Sequence, residues 1–450
     1  MQPSTQLPFV AIVGRPNVGK STLFNRYAGH RRALVQNQPG ITRDRIAEEV
    51  EVEDRRILLV DTAGLEPKAR DGLAGAVQAQ ARSAITDADA IIFLVDGKAG
   101  RMPEDEVLAR TLHRTAKPVL LAVNKVDLPL HEDRLTDFLS LGFERTRSIS
   151  AEHGRGAWDA LEELVADLPE CGEVERGEEG TRIALVGRPN VGKSSLVNRL
   201  VGSEAVVVFD VPGTTRDATD TRVTVGDEVF TLVDTAGLRR QGRRDRIAER
   251  PSALMTVRSV ERADVALIVI DASEGFSDQD ARITNLARER GCATLLLANK
   301  WDLVGQHDPE QAEAVRQAVA HGLRFTKDTK LVPVSAKTGA GIGKIFPLVR
   351  HLEEVAKTQI PTATLNRWLK DAVSRHEPAM AQRGSRRRPL KFFYATQTGV
   401  RPPTFVLFCT DPDAVQPAYR RFLENRLRET FDLEGTPVRL QLRARAGRGR

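Results

Sequence analysis

The sequence predicts an α/β protein in which two tandem domains, each with a doubly wound, mostly parallel sheet, precede a small α+β domain. Three observations predict this architecture. A Gly-rich segment occurs twice, each time between an apolar run and a helical pattern. In both halves, short apolar runs then alternate with helical patterns of about 10–15 residues. The last part of the chain lacks this alternation and carries the basic excess of the whole sequence.

The repeated segment predicts a phosphate-binding loop. Residues 14–21 read Gly-Arg-Pro-Asn-Val-Gly-Lys-Ser, and residues 187–194 repeat the same letters. An apolar run, Phe9–Val13 or Ile183–Val186, precedes each copy and predicts a buried strand. Glycines between a strand and a helix let backbone N–H groups and the helix N-terminus surround an anion. The predicted nucleotide ligands are Gly14, Asn17, Gly19, Lys20, Ser21 and Thr22, with Gly187, Asn190, Gly192, Lys193, Ser194 and Ser195 in the second copy.

The lysine and the serine of each loop have distinct predicted roles. Lys20 and Lys193 are expected to reach the β- and γ-phosphates of a nucleoside triphosphate. The hydroxyls of Ser21 and Ser194 are expected to bind Mg²⁺. One such motif could arise by chance, but two copies in one chain indicate a duplicated nucleotide-binding domain.

An Asp-Thr-Ala-Gly motif follows each phosphate loop at a constant distance. In the first copy, two predicted strands, Glu49–Val52 and Arg56–Val60, lead into this motif, and the motifs of the two copies lie 173 positions apart, as the two loops do. An Asp at the carboxyl end of a buried strand, followed by a flexible Gly, suits a carboxylate linked to Mg²⁺ and a sensor of the γ-phosphate. The predicted residues are Asp61 and Gly64, with Asp234 and Gly237 in the second copy.

An Asn-Lys-x-Asp motif predicts a guanine-binding site in each copy. In the first copy it follows the predicted strands Ala90–Val95 and Pro118–Val123, and a Ser-Ala pair comes later. The Asp carboxylate can accept hydrogen bonds from N1–H and the N2 amino group of guanine, whereas adenine offers no such donor pair. A backbone N–H of the Ser-Ala pair is expected to contact the guanine oxygen. The predicted guanine ligands are Asn124, Lys125, Asp127, Ser150 and Ala151, with Asn299, Lys300, Asp302, Ser335 and Ala336 in the second copy.

These patterns divide the chain into four parts. Residues 1–168 are predicted to form the first nucleotide-binding domain, closed by a helix at Ala157–Leu168, and residues 181–357 the second. Residues 169–180 hold mostly Glu and Gly and predict a flexible acidic tether. Residues 358–450 carry 18 Lys and Arg against 8 Asp and Glu, a net charge of +10, which predicts a polyanionic partner.

Composition indicates an intracellular protein. The three cysteines, Cys171, Cys292 and Cys409, lie far apart and predict structural thiols in a reducing cytosol rather than a metal or redox site. Residues 1–8 lack the features of a signal peptide, and no apolar stretch approaches the roughly 20 residues that span a bilayer. We therefore expect a cytoplasmic protein without membrane contact. Separately, we expect the protein to be a monomer.

The third domain is predicted to fold as helix, two strands, helix and strand. The helices are expected at Thr362–Ser374 and Val415–Leu427, and the strands at Leu390–Thr396, Thr404–Thr410 and Pro437–Leu442. Its basic residues form two clusters that suit phosphate contacts with structured RNA, although a basic surface facing only water would have the same sequence pattern. The clusters are Arg383, Arg386, Arg387, Arg388 and Lys391, and Arg443, Arg445, Arg448 and Arg450.

The combined motifs resemble those of Ras-like P-loop GTPases, and their tandem arrangement resembles the Der (EngA) family of double-domain bacterial GTPases. The resemblance covers nearly the whole chain. It implies GTP hydrolysis, a KH-like third domain, and a role in assembly of the large ribosomal subunit through contact with its rRNA. The third domain has no Gly-x-x-Gly loop, so the clamp on single strands that KH modules use is not predicted here.

The resemblance also implies roles for individual threonines and glycines. Thr42 and Thr215 match the switch threonines that contact Mg²⁺ and the γ-phosphate. The implied Mg²⁺ ligands are then Ser21, Thr42, Asp61, Ser194, Thr215 and Asp234. The residues predicted to support catalysis are Lys20, Thr42, Gly64, Lys193, Thr215 and Gly237.

The source of catalytic charge differs from that of Ras-type enzymes. Leu65 and Leu238 occupy the position at which those enzymes carry a glutamine that orients the attacking water. A leucine cannot orient water, so another group has to supply positioning and charge. Asn17 and Asn190 match family asparagines that are associated with K⁺-stimulated hydrolysis, and K⁺ is therefore an expected cofactor beside GTP and Mg²⁺.

The sequence thus predicts a GTP-hydrolysing molecular switch in which two nucleotide-binding domains control the docking of a basic domain on ribosomal RNA. Two other functions remain open. A tRNA-modifying relative needs a reactive cysteine near its C-terminus, and here the last cysteine, Cys409, lies in an apolar run. A scaffold that binds nucleotide without turnover would be consistent with the two leucines. The basic segment 239–246 either faces water or contacts nucleic acid or a neighbouring domain.

Overall fold

A computed structural model of the chain describes residues 4–5, 7–29, 47–61, 85, 88–166, 168, 173–174, 180–202, 206–209, 220–235, 253–304, 308–323, 329–378, 381–383 and 386–444. Within these ranges the chain forms two α/β units and a smaller α+β unit, which confirms the predicted fold class. The three main sheets lie inside the predicted domains 1–168, 181–357 and 358–450, whose bounds stay predictions. Among the described residues, no helix combines the length and apolar character needed to cross a lipid bilayer.

The first unit alternates strands and helices as predicted. Its strands are β1 (Ser4–Thr5), β2 (Phe9–Val13), β3 (Ala47–Val52), β4 (Arg55–Asp61), β5 (Ala90–Asp96), β6 (Val119–Asn124) and β7 (Arg145–Ser148). Its helices are α1 (Lys20–Gly29), α2 (Pro103–Leu112), α3 (Thr136–Leu139) and α4 (Ala157–Ala166). The described strands form a sheet in the order β3-β4-β2-β5-β6-β7, in which β3 is antiparallel to β4 and the other neighbours are parallel.

Strand β5 shows why this sheet needs cover on both faces. All of its residues are buried, and alternate side chains enter two different cores. Ile91, Phe93 and Val95 pack into the core that includes α2, whereas Ile92 and Leu94 pack into the core that includes α1 and α4. A continuous apolar strand of this kind is typical of a parallel sheet between two helical layers.

The second unit repeats this plan, and seven strands of its sheet lie within the described residues. Its strands are β9 (Thr181–Val186), β10 (Val206–Phe209), β11 (Thr221–Val225), β12 (Glu228–Val233), β13 (Val265–Asp271), β14 (Ala293–Asn299) and β15 (Lys330–Pro333). Its helices are α5 (Lys193–Val201), α6 (Ala253–Glu261), α7 (Asp278–Glu289), α8 (Pro309–Gly322) and α9 (Ile345–Ala356). The described order is β10-β11-β12-β9-β13-β14-β15, with β10, β11 and β12 mutually antiparallel and the rest parallel.

The expected tether between these units contains a short strand. Within residues 169–180, β8 (Glu173–Val174) pairs antiparallel with β1 (Ser4–Thr5). Two residues are too few to show an alternating pattern, and main-chain pairing does not require apolar side chains, so the sequence carries no signal for this ladder. This part of the tether therefore has regular structure, in contrast to the expectation of a wholly flexible segment.

The third unit has a three-stranded sheet within the described residues. It comprises α10 (Thr362–Arg375), β16 (Ala381–Arg383), β17 (Arg386–Arg388), β18 (Phe392–Gly399), β19 (Thr404–Cys409), α11 (Pro417–Thr430) and β20 (Arg439–Ala444). β18 is antiparallel to the central strand β19, and β20 is parallel to it. Leu365 and Leu369 of α10 and Leu423 of α11 share one core with Phe405 and Leu407 of β19. Both helices thus cover the same face of the sheet.

The first basic cluster forms part of a hairpin that the sequence analysis did not predict. Arg386–Arg388 pairs antiparallel with Ala381–Arg383. A run of arginines has neither the alternation nor the apolar content that predicts a strand. The main chain of this cluster is therefore held in an extended conformation rather than in an irregular loop.

The first and second units contact each other through α6 and α7. The Arg258 guanidinium of α6 lies 3.0 Å from the Asp89 carboxylate and 4.7 Å from the centre of the Phe9 ring. Val257 and Leu286 of the second unit pack into the α2-side core of the first. The interface therefore combines apolar burial with ionic and cation–π contacts.

Arg290, which follows α7, links the same two units through polar contacts. Its guanidinium donates a hydrogen bond of 3.0 Å to the carbonyl oxygen of Ala47, the first residue of β3. It also lies 2.8 Å from the carboxylate of Glu261 at the end of α6. Burial raises the pKa of Glu261, and Arg290 opposes that shift.

The third unit contacts the second at the loop next to Arg290. The amide of Thr294 donates to the carbonyl oxygen of Gly435 over 2.9 Å, and Arg401 forms an ion pair with Glu353. A Cβ atom on Gly291 would lie 2.9 Å from the ring of Pro402. One short segment of the second unit, residues 290–294, thus contacts both neighbouring units.

The two described cysteines are structural, in agreement with the sequence expectation. Cys292 and Cys409 are both buried and free of disulfide bonds. Burial raises the pKa of both thiols, that of Cys409 to about 11. Cys171 lies outside the described residues. Within the described ranges, no group of His, Cys, Asp and Glu side chains is arranged to hold a metal ion.

Candidate functional site

Both predicted phosphate loops leave the carboxyl end of a strand near the middle of a sheet. The first connects β2 to α1, and the second connects β9 to α5. Asn17 and Asn190 have left-handed backbones with φ of 64° and 65°, and Gly19 and Gly192 have φ of 103° and 93°. Left-handed residues within a turn direct successive N–H groups toward one point and form a concavity that binds anions.

The first glycine of each loop is required by close packing. A Cβ atom on Gly14 would lie 2.2 Å from the carbonyl oxygen of Leu94, and one on Gly187 would lie 2.3 Å from that of Val269. No side chain fits in such a space, because real Cβ contacts essentially never fall below 3.0 Å. The backbone of each loop therefore packs directly against the neighbouring strand. The residues present fit a loop that encloses phosphate.

The loop lysines are buried within their own loops. The ammonium group of Lys20 donates to the carbonyl oxygens of Gly14 and Arg15, each over 2.9 Å. Lys193 makes the equivalent bonds of 2.8 and 2.7 Å to Gly187 and Arg188. Burial lowers the pKa of Lys193 to about 8, although the nearby carboxylate of Asp280 favours the charged form. These ammonium groups are held at the floor of the loop that the sequence predicts to hold phosphates.

The asparagine of each Asn-Lys-x-Asp motif connects the phosphate loop to the predicted base pocket. The Asn124 amide donates to the carbonyl oxygen of Val18 over 2.7 Å and accepts from the Ala151 amide over 2.8 Å. Asn299 makes the same two contacts, at 2.8 Å to Val191 and 3.0 Å to Ala336. One buried side chain thus joins three segments that are distant in sequence.

The aspartate of each motif is fixed by the serine of the Ser-Ala pair. The Ser150 hydroxyl donates to Asp127 over 2.8 Å, and the Ser335 hydroxyl donates to Asp302 over 2.6 Å. Lys98 also lies 2.7 Å from the Asp127 carboxylate. Hydrogen bonds from Lys98 and Ser150 lower the pKa of Asp127, so this carboxylate is ionised and can act only as an acceptor.

The lysine of each motif pairs with an aspartate to which the sequence analysis gave no role. Lys125 lies 2.5 Å from Asp96, the last residue of β5, and Lys300 lies 2.5 Å from Asp271, the last residue of β13. Burial raises the pKa of Asp271, but hydrogen bonds from Lys300 and Ser273 outweigh that effect and lower it below its ordinary value. These ion pairs fix the position of each lysine ammonium group.

The two predicted Mg²⁺-linked aspartates have different surroundings. Asp61 is the last residue of β4 and is buried. Asp234 has a left-handed backbone with φ of 56°, and its carboxylate lies 2.9 Å from Arg262 and 2.7 Å from the hydroxyl of Ser259. Arg262 also pairs with Asp220 at 2.6 Å. The motifs are the same in both copies, but the residue 175 positions before Arg262 is Asp87, so the first copy has no arginine at this position.

The arginine of each phosphate loop is anchored to a buried aspartate that the sequence analysis missed. Arg188 lies 3.0 Å from the fully buried Asp280 of α7, and its guanidinium also contacts Glu274 at 3.1 Å. Asp280 accepts further bonds from the amide and hydroxyl of Ser277, the N-cap of α7. The loop and the helix are thereby held together.

The first copy has the same anchor with fewer partners. Arg15 lies 3.3 Å from Asp105 of α2, which is also fully buried. At the positions of Glu274 and Ser277 the first copy has Ala99 and Met102, which offer no such side-chain partners. Burial raises the pKa of Asp105, an effect that Arg15 only partly opposes. The offset of 175 shows that Asp105 and Asp280 are equivalent positions of the two copies, although it does not indicate their arginine partners.

Several predicted residues lie outside the described ranges. They are Thr42, Gly64 and Leu65 of the first copy, and Thr215, Gly237, Leu238 and the segment 239–246 of the second. Arg445, Arg448 and Arg450 of the second basic cluster also lie outside them. Their roles stay predictions. The described site residues are brought together at the carboxyl ends of the two parallel sheets, where such sheets bind ligands.

Comparison with known proteins decides the family. Residues 9–125 and 182–300 match a family described as "50S ribosome-binding GTPase", and residues 359–443 match one described as "KH-domain-like of EngA bacterial GTPase enzymes, C-terminal". GTPase Der from Syntrophotalea carbinolica is 44% identical over 440 residues, which cover 98% of this chain and 99% of that protein. The chain belongs to the GTPase Der family.

A second relative agrees with this assignment. GTPase Der from Symbiobacterium thermophilum is 46% identical over 440 residues, covering 97% of this chain and 92% of that protein. A solved structure of Era from Aquifex aeolicus bound to GDP and aluminium fluoride is 21% identical, with a TM-score of 0.31, and covers 57% of this chain and 88% of that chain. As a member of the GTPase Der family, the protein is an enzyme that hydrolyses GTP, and its third unit is KH-like.

We expect Arg188→Ala to destabilise the second unit by about 3 kcal/mol, because it leaves the buried Asp280 carboxylate without its cation. Affinity of the second site for GDP should fall as well, since the loop loses its attachment to α7. Calorimetric unfolding and nucleotide titration measure the two effects. Arg15→Ala is the matched control and should have a smaller effect, because the first anchor has fewer partners. Equal losses from both substitutions would contradict this interpretation.

Proposed function

We propose that this protein is a GTP-hydrolysing switch in assembly of the large ribosomal subunit, in which the nucleotide state of the two GTPase domains controls docking of the basic third domain on rRNA. The observation that carries this proposal is the presence of two guanine-nucleotide motif sets in one chain with a third domain of net charge +10. The family description "50S ribosome-binding GTPase" supports the ribosomal target. The protein is proposed to act in the cytoplasm, where ribosomes assemble.

The roles of the site residues in nucleotide binding follow from their chemistry. Asp127 and Asp302 would accept the N1–H and N2 amino protons of guanine, each held in position by its serine. Lys20 and Lys193 would exchange their loop carbonyl partners for phosphate oxygens. Mg²⁺, when bound, supplies charge neutralisation between the β- and γ-phosphates. Its proposed ligands are Ser21, Thr42 and Asp61, with Ser194, Thr215 and Asp234 in the second site.

Asp234 needs a change of partners for this role. Its carboxylate contacts Ser259 of α6 and Arg262, which directly follows that helix. The helix α6 begins shortly after the Asp-Thr-Ala-Gly motif, so release of Asp234 toward the metal would also release α6 from that motif. We further propose that K⁺ binds near Asn17 and Asn190, whose side chains are exposed on left-handed residues at the rim of each loop.

The contacts between units support a route from the first nucleotide site to the third domain. Ala47 begins β3 five residues after the predicted switch residue Thr42, and its carbonyl oxygen accepts a hydrogen bond from Arg290. Gly291 lies next to Arg290 and packs against Pro402 of the third unit. A shift of β3 with nucleotide state would therefore act on the segment that also contacts the third unit.

The alternative of a tRNA-modifying enzyme finds no support at its key position. That chemistry needs an exposed thiolate, since the thiolate is the reactive form of cysteine. Cys409 is completely buried in β19, and burial raises its pKa to about 11. The thiol is therefore both inaccessible and protonated at neutral pH.

Co-sedimentation with purified large ribosomal subunits tests the proposed function. Full-length protein is mixed with subunits in GDP or in a non-hydrolysable GTP analogue, across a series of salt concentrations. Stronger binding with the analogue supports a GTP-controlled assembly factor. Equal binding in both states would show that nucleotide does not control docking. Absence of binding at low salt would contradict the ribosomal target, because phosphate contacts are strongest there.

Nucleotide binding by the second site should weaken as the pH rises above about 8. Lys193 has a pKa of about 8 without nucleotide, and phosphates favour its charged form, so binding takes up a proton above this pH. The dissociation constant should rise by up to about tenfold per pH unit there. Titration of GDP into Asp127→Asn protein, which confines binding to the second site, measures the slope. A constant affinity between about pH 7 and pH 9 would show that Lys193 stays charged over this range and would contradict the lowered pKa.

A further inference from the structure

The face of the third sheet opposite its helices carries a row of side chains that the fold does not require. Tyr394 of β18 lies opposite Phe408 of β19, which lies beside Arg443 of β20. Their chain neighbours Ala395, Leu407 and Leu442 belong to the core under the helices. Because side chains alternate along a strand, the row Tyr394-Phe408-Arg443 lies on the other face.

This row exposes aromatic surface. Tyr394 is 43% exposed, Phe408 is partly exposed, and Arg443 is exposed. The two rings are neighbours, with centroids 6.1 Å apart and planes inclined by 42°. The adjacent Phe393 is 41% exposed. Exposed aromatic rings that lie side by side on a sheet, rather than singly, indicate a contact surface.

The chain segments that flank the row are basic in sequence. Lys391 is exposed directly before β18, and Arg386–Arg388 precedes it in the hairpin strand. Three further arginines follow Arg443 in the sequence. The acidic residues at this end, Asp411 and Asp413 after β19, are outnumbered by these cations. A partner of this surface therefore offers both flat apolar groups and negative charge.

We propose that the row Tyr394-Phe408-Arg443 is a stacking platform for unpaired RNA bases. Nucleic acid is the polyanion whose bases present flat apolar faces, and stacking on aromatic rings is the usual way in which proteins hold single strands. The Arg443 guanidinium can stack on a base or contact a phosphate. This inference rests on the proposed RNA-binding function and specifies that the RNA is unpaired where the third unit contacts it.

Double-stranded RNA does not suit this surface. Paired and stacked bases do not expose their faces, so a duplex would leave the rings of Tyr394 and Phe408 against water or phosphate. A duplex can use only the basic residues of this surface, such as Arg443 in the row and Lys391 before β18. The two classes of RNA should therefore respond differently to loss of the rings and to loss of the charges.

The test compares binding of a short single-stranded RNA and a blunt RNA duplex to the full-length protein by fluorescence anisotropy, over a salt series. The double variant Tyr394→Ala with Phe408→Ala should lose about tenfold or more of its affinity for the single strand and none for the duplex. Tyr394→Phe retains the ring and should bind normally. Val400→Ala is the matched control, since it removes an exposed apolar side chain of the same unit that lies outside the row. GTP hydrolysis by each variant should be unchanged.

Each other outcome has a definite meaning. If the double variant binds both RNAs as the unchanged protein does, the platform does not exist, although RNA binding by the basic residues stands. If the unchanged protein binds neither RNA at low salt, RNA contact by this unit fails as a whole. If the double variant loses binding to large ribosomal subunits but to neither RNA, the row contacts a ribosomal protein, and the inference is wrong. If the double variant also loses GTP hydrolysis, Phe408→Leu with Tyr394→Leu separates stacking from folding, because it removes both rings and keeps the apolar volume of the sheet.

Discussion

Replacement of both Asp127 and Asp302 by asparagine is expected to lower GTP affinity by about 10³-fold or more. Each carboxylate is oriented by a serine hydroxyl and would accept two protons from guanine. An asparagine amide presents a donor where the guanine amino group also donates, so one hydrogen bond is lost and the two donors face each other. Xanthine has a carbonyl oxygen at that position, and affinity for xanthosine triphosphate should therefore rise. Titration with fluorescent nucleotides measures both changes.

The single variants separate the two sites. Asp127→Asn should remove only the first site and Asp302→Asn only the second, so that each titration reaches half the original stoichiometry. Asp137→Asn is a matched control, because Asp137 is exposed on α3 and outside the site. Unchanged GTP binding by the double variant would show that these carboxylates do not contact the base.

The combined substitutions Lys20→Ala and Lys193→Ala are expected to abolish GTP turnover above background. Each ammonium group is buried at the floor of its loop, where it is pre-positioned to neutralise charge that develops on the phosphates. Loss of one such pre-positioned charge typically lowers turnover by about 10²–10³-fold. Phosphate release at saturating GTP, with each single variant measured alongside, shows which domain accounts for the activity.

Controls distinguish this effect from unfolding. Lys344→Ala removes an exposed lysine from the second unit and should leave turnover unchanged. Calorimetric unfolding of each variant should keep its transition, since the loop carbonyls released by the lysines can bond to water. Full turnover in both single variants and in the double variant would overturn the assignment of the two loops as the hydrolytic sites.

Much of the site could be predicted because most of its residues belong to short contiguous motifs. A loop such as residues 14–21 needs glycines and a lysine in fixed order, since its backbone geometry is local. Asp127 follows Asn124 by three residues, so one motif places both. The structure brings these motifs together because parallel strands end at the same edge of a sheet.

Contacts between distant segments could not be predicted in this way. Arg188 and Asp280 are 92 residues apart, and nothing near either residue indicates its partner. The pair of Asp234 with Arg262 depends on where α6 ends, which no motif specifies. The ladder between β1 and β8 and the arginine strand β17 were missed for a different reason, because two or three residues show no period.

The amide of Asn124, and that of Asn299 in the second site, has a consequence for partial ligands. One side chain bonds to both the phosphate loop and the base loop. The base pocket is therefore already formed when a molecule binds there alone. Guanosine and pyrophosphate, as separate fragments, would each bind without a cost of ordering the other half. Each separate fragment loses translational and rotational entropy when it binds. A linked molecule loses this entropy only once, and its higher affinity would come chiefly from that difference.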